Sequence, residues 1–306
     1  MKKELYPLHG IVTVLNTPFT KDNTVDIAAL KTNVTYAIEA GVKGFLVPAM
    51  AAEVYKLSAT ERLNMVAAVL EESKNIPVIA GIGAHTIEES KKLLQSHLDL
   101  GCKNVLFQIP YSNDAQFESQ FAELASLGPE MIMLQDWDFS GDGLSDSLIA
   151  NLFEKHEAFR CLKIETVPAG VKYSRILELT KGHLNLSGGW AVSQMIEGLK
   201  RGVHAFMPTG MHYIYTEIYQ RFQNDQTKEA IELFNKILPV LAFSNQHLDI
   251  SIHFFKRLLF KQGIYSTPNV RTPISKFDKI HQKIADKHIR HIIELEYDLK
   301  LKRNVK

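Results

Sequence analysis

The chain has 306 residues, 45% hydrophobic and 23% charged, a balance that excludes a disordered chain and supplies a sizeable buried core. Thirty-five basic side chains stand against thirty-four acidic ones, so the net charge of +1 gives no electrostatic case for binding nucleic acid or an anionic membrane surface. Cys102 and Cys161 both sit inside apolar runs, which argues against a disulfide framework; with no apolar leader after Met1 and no run of transmembrane length, a reducing, cytoplasmic location is expected.

Along the chain, short apolar or β-branched runs recur at residues 11–15, 45–47, 77–82, 104–109, 131–135, 160–165, 184–187 and 203–207, which read as eight strands. The segments between them carry helical periodicity: Leu30, Val34 and Ile38 mark one face of residues 27–39, and Leu63, Val66 and Leu70 one face of 59–72. Ser58 with Glu61, and Thr86 with Glu89, have the spacing of capping boxes. Three near-copied junctions place Gly41, Gly101 and Gly202 where a helix ends before the next strand, a position that suits a left-handed residue. Strands alternating with helical crossovers close most economically into an α/β fold, a (β/α)8 TIM barrel. The runner-up, an open doubly wound sheet, would usually show a glycine-rich turn after its first strand, and residues 15–19 contain no glycine. After about Tyr219 the strand signal stops, and residues 228–243, 250–262 and 278–301 read as helices. The expected organisation is a barrel carrying the active site over 1–225 and a C-terminal helical domain over 226–306.

Barrel chemistry sits at the C-terminal ends of the strands. The most informative end is that of residues 159–165, FRCLKIE, where period two puts Cys161, Lys163 and Glu165 on one face and Leu162 and Ile164 on the other. If the first face looks into a closed interior, Lys163 is a partly desolvated amine, which is what a Schiff-base nucleophile requires. The competing interpretation is a lysine snorkelling from a strand end. Small residues after the second, seventh and eighth strands, among them Ala51, Gly188 and Gly210, leave room for a ligand and expose amides that a carboxylate or phosphate can use. His281, His288 and His291 share one helix without a shell of carboxylates or cysteines, so no metal site is expected.

Thr17-Pro18-Phe19, Ile79-Ala80-Gly81-Ile82-Gly83, Lys163 with its apolar approach, Leu186-Ser187-Gly188 and Arg271-Thr272-Pro273 together resemble the dihydrodipicolinate synthase and N-acetylneuraminate lyase superfamily, over essentially the whole chain. The resemblance implies a cofactor-independent class I lyase, of aldolase or dehydratase type. Lys163 would form an imine with a 2-oxo acid such as pyruvate or a 2-keto-3-deoxy sugar acid, in a homo-oligomer that is a dimer or tetramer. Several positions depart from the superfamily pattern. The second-strand loop, where the pattern has glycine, two hydroxyl residues, glycine and glutamate, reads Ala49-Met50-Ala51-Ala52-Glu53. Substrate binding there falls to Glu53 and the amides of Met50 and Ala51, with Gly188, Thr209, Ser187, Tyr111 and Gln135 as further contacts. Gln135 stands where the superfamily has a proton-relaying tyrosine, and an amide is neither acid nor base near neutral pH. The acid/base role then passes to Asp136, Asp138, Glu165 or a rim tyrosine. Trp190 and Ala191 replace the polar groups that grip a sugar acid, which marks an outlying branch. The alternative expectation is a barrel that keeps Lys163 without turnover and binds a small carboxylate as a sensor or assembly subunit.

Overall fold

The computed structural model describes residues 3–138 and 140–304, the side chains of residues 191 and 304 excepted. Strands and helices alternate as β1 (Gly10–Val14), α1 (Ile27–Ala40), β2 (Gly44–Val47), α2 (Ala59–Glu72), β3 (Val78–Gly81), α3 (Ile87–Asp99), β4 (Asn104–Phe107), α4 (Asp114–Ala125), β5 (Met131–Asp138) and α5 (Asp146–Lys155). They continue as β6 (Phe159–Thr166), α6 (Gly170–Leu179), β7 (Asn185–Gly188), α7 (Met195–Lys200), β8 (Ala205–Phe206) and α8 (His212–Gln223), followed by the helices α9 (Thr227–Ser244), α10 (Leu248–Lys261) and α11 (Lys279–Asn304). The eight strands pair in chain order into a closed parallel barrel. The local signals that predicted these elements act as expected. Ser58 and Thr86 each cap a helix in a reciprocal box with Glu61 and Glu89, and Gly41, Gly101 and Gly202 all lie at positive φ, between 84° and 91°.

By packing, the chain forms two compact units, one made of the residues up to His9 with Pro77–Met207, the other of Gly10–Ile76 with the chain from Pro208 onward. The first unit contains β3 to β8. Its aromatic core forms where Phe121 of α4 meets Phe107 of β4 at 5.2 Å and Phe159 of β6 at 5.4 Å, both edge to face. Beside that core lies a register shift. Ile132 pairs with Phe159 but Met133 pairs with Cys161, so β6 carries one extra residue, Arg160. Without the bulge Gln135 would stand beside Leu162; with it, Gln135 stands beside Lys163 and Trp137 beside Glu165. A one-residue slip turns every side chain to the other face, so this bulge decides which groups meet inside the barrel.

The second unit holds β1, β2, α1, α2 and α8 to α11. Ala29 of α1 shares a buried cluster with Leu259, Ile264 and Tyr265. The Tyr36 hydroxyl of α1 and the Gln262 amide both donate to the buried carboxylate of Glu296 on α11, at 2.8 and 2.6 Å. These bonds fasten the C-terminal helices to α1.

Candidate active site

Lys163 and Glu165 meet as a buried ion pair, Nζ to Oε1 at 2.9 Å, with side chains only 5% and 9% exposed. The burial follows from sequence: Leu162 and Ile164 are fully buried on the opposite face of β6, which leaves the alternate face for the polar groups. The carboxylate is held from three directions. Its Oε1 also accepts the backbone N–H of Trp190 at 2.7 Å, and its Oε2 accepts from the Gln135 amide, whose own oxygen accepts from Gln108 at 2.6 Å. Gly189 is required for this placement, because a Cβ there would collide with the Glu165 carboxylate. The four side chains Gln108, Gln135, Glu165 and Lys163 are all buried and form one polar chain across β4, β5 and β6. A carboxylate at 2.9 Å from an amine is within direct proton-transfer reach.

Asp136 and Asp138, expected as acid/base candidates, point away from this pair. The sequence reading ends the fifth strand at Gln135, whereas β5 runs on through Asp138, so Asp136 and Asp138 alternate with Gln135 and Trp137 and take the other face. Asp136 is buried against Lys172 of α6 at 2.5 Å and accepts the Leu144 N–H at 2.8 Å. Burial pushes its carboxyl up, against the opposing pull of Lys172. Lys172 in turn donates to the carbonyls of Asp142 and Leu144, so the pair ties the loop after β5 to α6. Asp138 accepts the backbone N–H and hydroxyl of Ser140 at 2.9 and 3.0 Å, and those bonds hold its carboxyl below the usual range. Tyr111 is 57% exposed and donates to Asp114 at 2.9 Å. Gly188 backs onto the helix layer, where a Cβ would lie 2.8 Å from the hydroxyl of Tyr173.

The sequence model of the Dihydrodipicolinate synthetase family matches residues 7–292. The chain belongs to this family. It is 24% identical over 290 residues to the 4-hydroxy-tetrahydrodipicolinate synthase of Methanosphaerula palustris, spanning 88% of this chain and 94% of that one. Among solved structures, dihydrodipicolinate synthase from Rhodopseudomonas palustris superposes with a TM-score of 0.87 at 20% identity, over 94% of this chain and 99% of its own. N-acetylneuraminate lyase from Fusobacterium nucleatum superposes with a TM-score of 0.82 at 17% identity, over 93% and 99%. The (β/α)8 barrel with C-terminal helices is thus the fold of this dihydrodipicolinate synthetase family member.

Other segments that carry the family resemblance meet in the second unit, around Phe19. The Lys256 ammonium lies 4.1 Å and the Arg271 guanidinium 4.4 Å from the centre of its ring. Glu53, in a left-handed conformation at φ 58°, binds Lys256 at 2.6 Å, Lys56 at 3.2 Å and the backbone N–H of Arg271 at 2.9 Å. Burial pulls the Lys256 pKa down to about 8 although Glu53 opposes it. Glu53, expected among substrate contacts, is therefore committed to cations of its own unit. Met50 and Ala51 are half-buried at the start of a short 3-10 turn, Met50–Ala52, and bring no side-chain hydroxyl; Thr209 is half-buried as well. The side chain of Ala191 lies outside the described residues.

Gln108 and Trp137 join the surroundings of the lysine without having been singled out in the sequence. Gln108 had a readable signal: an amide set between Phe107 and Ile109 in an apolar run, the same anomaly that exposes Lys163. Trp137 had none, because its face depends on how far β5 extends. Among the described residues no group of histidine, cysteine and carboxylate side chains could hold a metal ion, and no helix is long and apolar enough to cross a membrane.

Proposed function

We propose that this protein is a lyase that forms a Schiff base between Lys163 and a 2-oxo acid, with Glu165 as the proton carrier in place of the tyrosine that Gln135 displaces. The observation that supports this reading is the buried contact of 2.9 Å between the Lys163 amine and the Glu165 carboxylate. Glu165 takes a proton from the ammonium, and the free amine attacks the keto carbon. The protonated carboxyl then returns its proton to the departing hydroxyl, so that water leaves, an iminium remains and the carboxylate is restored. In an aldol cleavage the electrons of the breaking carbon–carbon bond flow into that iminium, with Glu165 placed to take the substrate hydroxyl's proton. In a dehydration the electrons come instead from the carbon–hydrogen bond next to the imine carbon, whose proton passes to a base, and the resulting enamine expels the hydroxyl, which leaves as water once protonated. Asp136 and Asp138, already engaged with Lys172 and Ser140, are weaker candidates for that role. Pyruvate or a 2-keto-3-deoxy sugar acid fits the family's chemistry. The loop at Met50 and Ala51 offers a carboxylate backbone amides alone, and a cytoplasmic homo-oligomer, dimer or tetramer, belongs to the same proposal.

The test is borohydride reduction in the presence of pyruvate, with the adduct located by peptide mass. Modification of Lys163, lost in Lys163→Ala, is expected; adducts confined to other lysines would end the proposal. One observation favours the second reading, a carboxylate sensor without turnover: Gln135 cannot carry a proton. Imine trapping across a broad panel of 2-oxo acids with no product from any of them would select it.

A further inference from the structure

The helix α11 buries Ala285, Ile289 and Ile292 on the side that packs against α8, α9 and α10, and turns a mixed stripe outward. On that stripe Ile280, at 70%, is the most exposed large apolar side chain among the described residues, and Ile284, Tyr297 and Leu301 are exposed as well. The charges there are sorted rather than interleaved. Lys279, Lys283 and Lys287 recur at four-residue spacing, then Glu294 and Asp298 do, and all five are exposed. Like charges four apart on a helix repel, whereas alternating signs at the same spacing would attract. Among the described residues none of the five has an ion-pair partner, and the neighbouring Asp286 is taken by Arg257 at 2.7 Å. The stripe is thus unfavourable within its own chain.

It becomes favourable against a copy of itself. Positions equidistant from the point between Arg290 and His291 match Ile280 with Leu301, Lys283 with Asp298 and Lys287 with Glu294. A helix turns about 100° per residue, so all six lie within about 30° of one line along the exposed side, opposite Ala285 and Ile292. A second α11 laid antiparallel across that line sets apolar against apolar and each lysine against a carboxylate, and the two-fold axis makes every match twice. Arg290 then faces His291 rather than another arginine. A parallel copy would place lysine on lysine and carboxylate on carboxylate. An anionic membrane or a nucleic acid along the stripe would meet the acidic half.

We propose that the exposed side of α11 is a self-complementary docking surface whose partner is a second copy of this chain, with Lys283 against Asp298 of the partner subunit and Lys287 against Glu294 of the partner subunit. From Ile280 to Leu301 the contact runs about 32 Å along the helix. Because the same surface serves both chains, it closes at two copies and does not propagate into a filament. Its middle is charged and solvent-facing, so the contact weakens with salt, which screens exposed charges beyond about 10 Å at 0.1 M. The inference goes beyond the lyase reading and does not rest on it.

Sedimentation velocity of the full chain over a series of concentrations tests the surface. Lys287→Glu sets two carboxylates face to face at both symmetric places and should weaken one association step roughly tenfold or more. Adding Glu294→Lys to the same chain brings opposite charges together again and should restore that step, at the net charge of the parent. The geometry is read separately by cysteine pairing, since Cys102 and Cys161 are buried and do not compete. A mixture of Lys287→Cys and Glu294→Cys chains should form a mixed disulfide under mild oxidation. Neither variant alone should do so at a comparable rate, because two copies of residue 287 stand about 10 Å apart along the paired helices. A chain that stays monomeric, an association that Lys287→Glu leaves unchanged or the exchanged pair fails to restore, or no preference for the mixed disulfide overturns the proposal. None of these readouts involves Lys163, so borohydride trapping decides the lyase reading independently.

Discussion

Replacing Glu165 by glutamine keeps the shape of the side chain and removes its charge, which isolates what the carboxylate does for Lys163. The pair is buried, 5% and 9% exposed, and among the described residues Glu165 is the one ion-pair partner of that amine. Removing one partner of a buried pair costs about 3–5 kcal/mol, and an amide that still offers one acceptor places Glu165→Gln near the lower figure, about 3 kcal/mol. Unfolding entropy of about 2.1 cal/mol/K per residue gives a chain of 306 residues about 0.6 kcal/mol per kelvin, so the melting temperature should fall by about 5 K. In a Lys163→Met background the same substitution meets no cation. There the two N–H donors from Gln135 and Trp190 are the partners that remain, and the expected cost drops to about 1 kcal/mol. Calorimetry on the four proteins of this cycle reads the coupling directly. Imine formation with pyruvate, followed by trapping rate, should slow by about 10²–10⁴-fold in Glu165→Gln if the carboxylate moves the proton. Equal destabilisation by Glu165→Gln in both backgrounds, or an unchanged trapping rate, would refute the reasoning.

Asp136→Asn should destabilise the protein by about 3 kcal/mol, because it strands the buried Lys172 ammonium, while leaving the pH profile of imine trapping unchanged; a displaced profile would return Asp136 to the proton-transfer role. Asp138→Asn, which loses an acceptor for Ser140 on a partly exposed loop, should change neither profile nor melting temperature. His212 is fully buried between Thr13 and Asn33, and burial holds its pKa down to about 3. The unfolded chain therefore takes up that proton first as pH falls, so the contribution is complete above about pH 6.5 and shrinks by about 1.4 kcal/mol per unit below it. Urea unfolding of the parent and of His212→Gln between pH 7 and 4.5 should diverge by that slope, and parallel curves would exclude it.

The barrel was legible because its evidence is local and repeated. Alternating periodicities, capping boxes and glycine junctions each predict an element without knowledge of its neighbours. Lys163 and Glu165 were legible for the same reason, as polar residues on one face of an apolar run. What connects them to the rest was not. The bulge at Arg160 leaves no mark in composition, yet it sets Gln135 rather than its neighbours beside the lysine. Lys172 lies 36 positions from Asp136 on a helix whose periodicity says only that it is amphipathic, and their pairing depends on how β5 and α6 pack. The extra length of β5 similarly converts two loop carboxylates into strand residues and exchanges their faces. Short motifs such as Thr17-Pro18-Phe19 marked the family correctly, while the packing of Phe19 beneath two cations depends on residues more than two hundred positions away.

The row of amides leading to Glu165 also has a polarity. A primary amide offers donors at one end and acceptors at the other, so the orientation of one fixes that of the next. With the carboxylate ionised, Gln135 must turn its nitrogen toward Glu165 and its oxygen toward Gln108, leaving the Gln108 oxygen without a hydrogen-bond partner. A proton placed on the oxygen facing Gln135 makes Glu165 a donor there. Gln135 then has to reverse, and Gln108 after it, and the idle oxygen becomes the acceptor at the far end. A proton drawn from Lys163 lands on Oε1, the other oxygen, so Oε2 remains an acceptor and the row keeps its orientation while Glu165 and Lys163 exchange a proton.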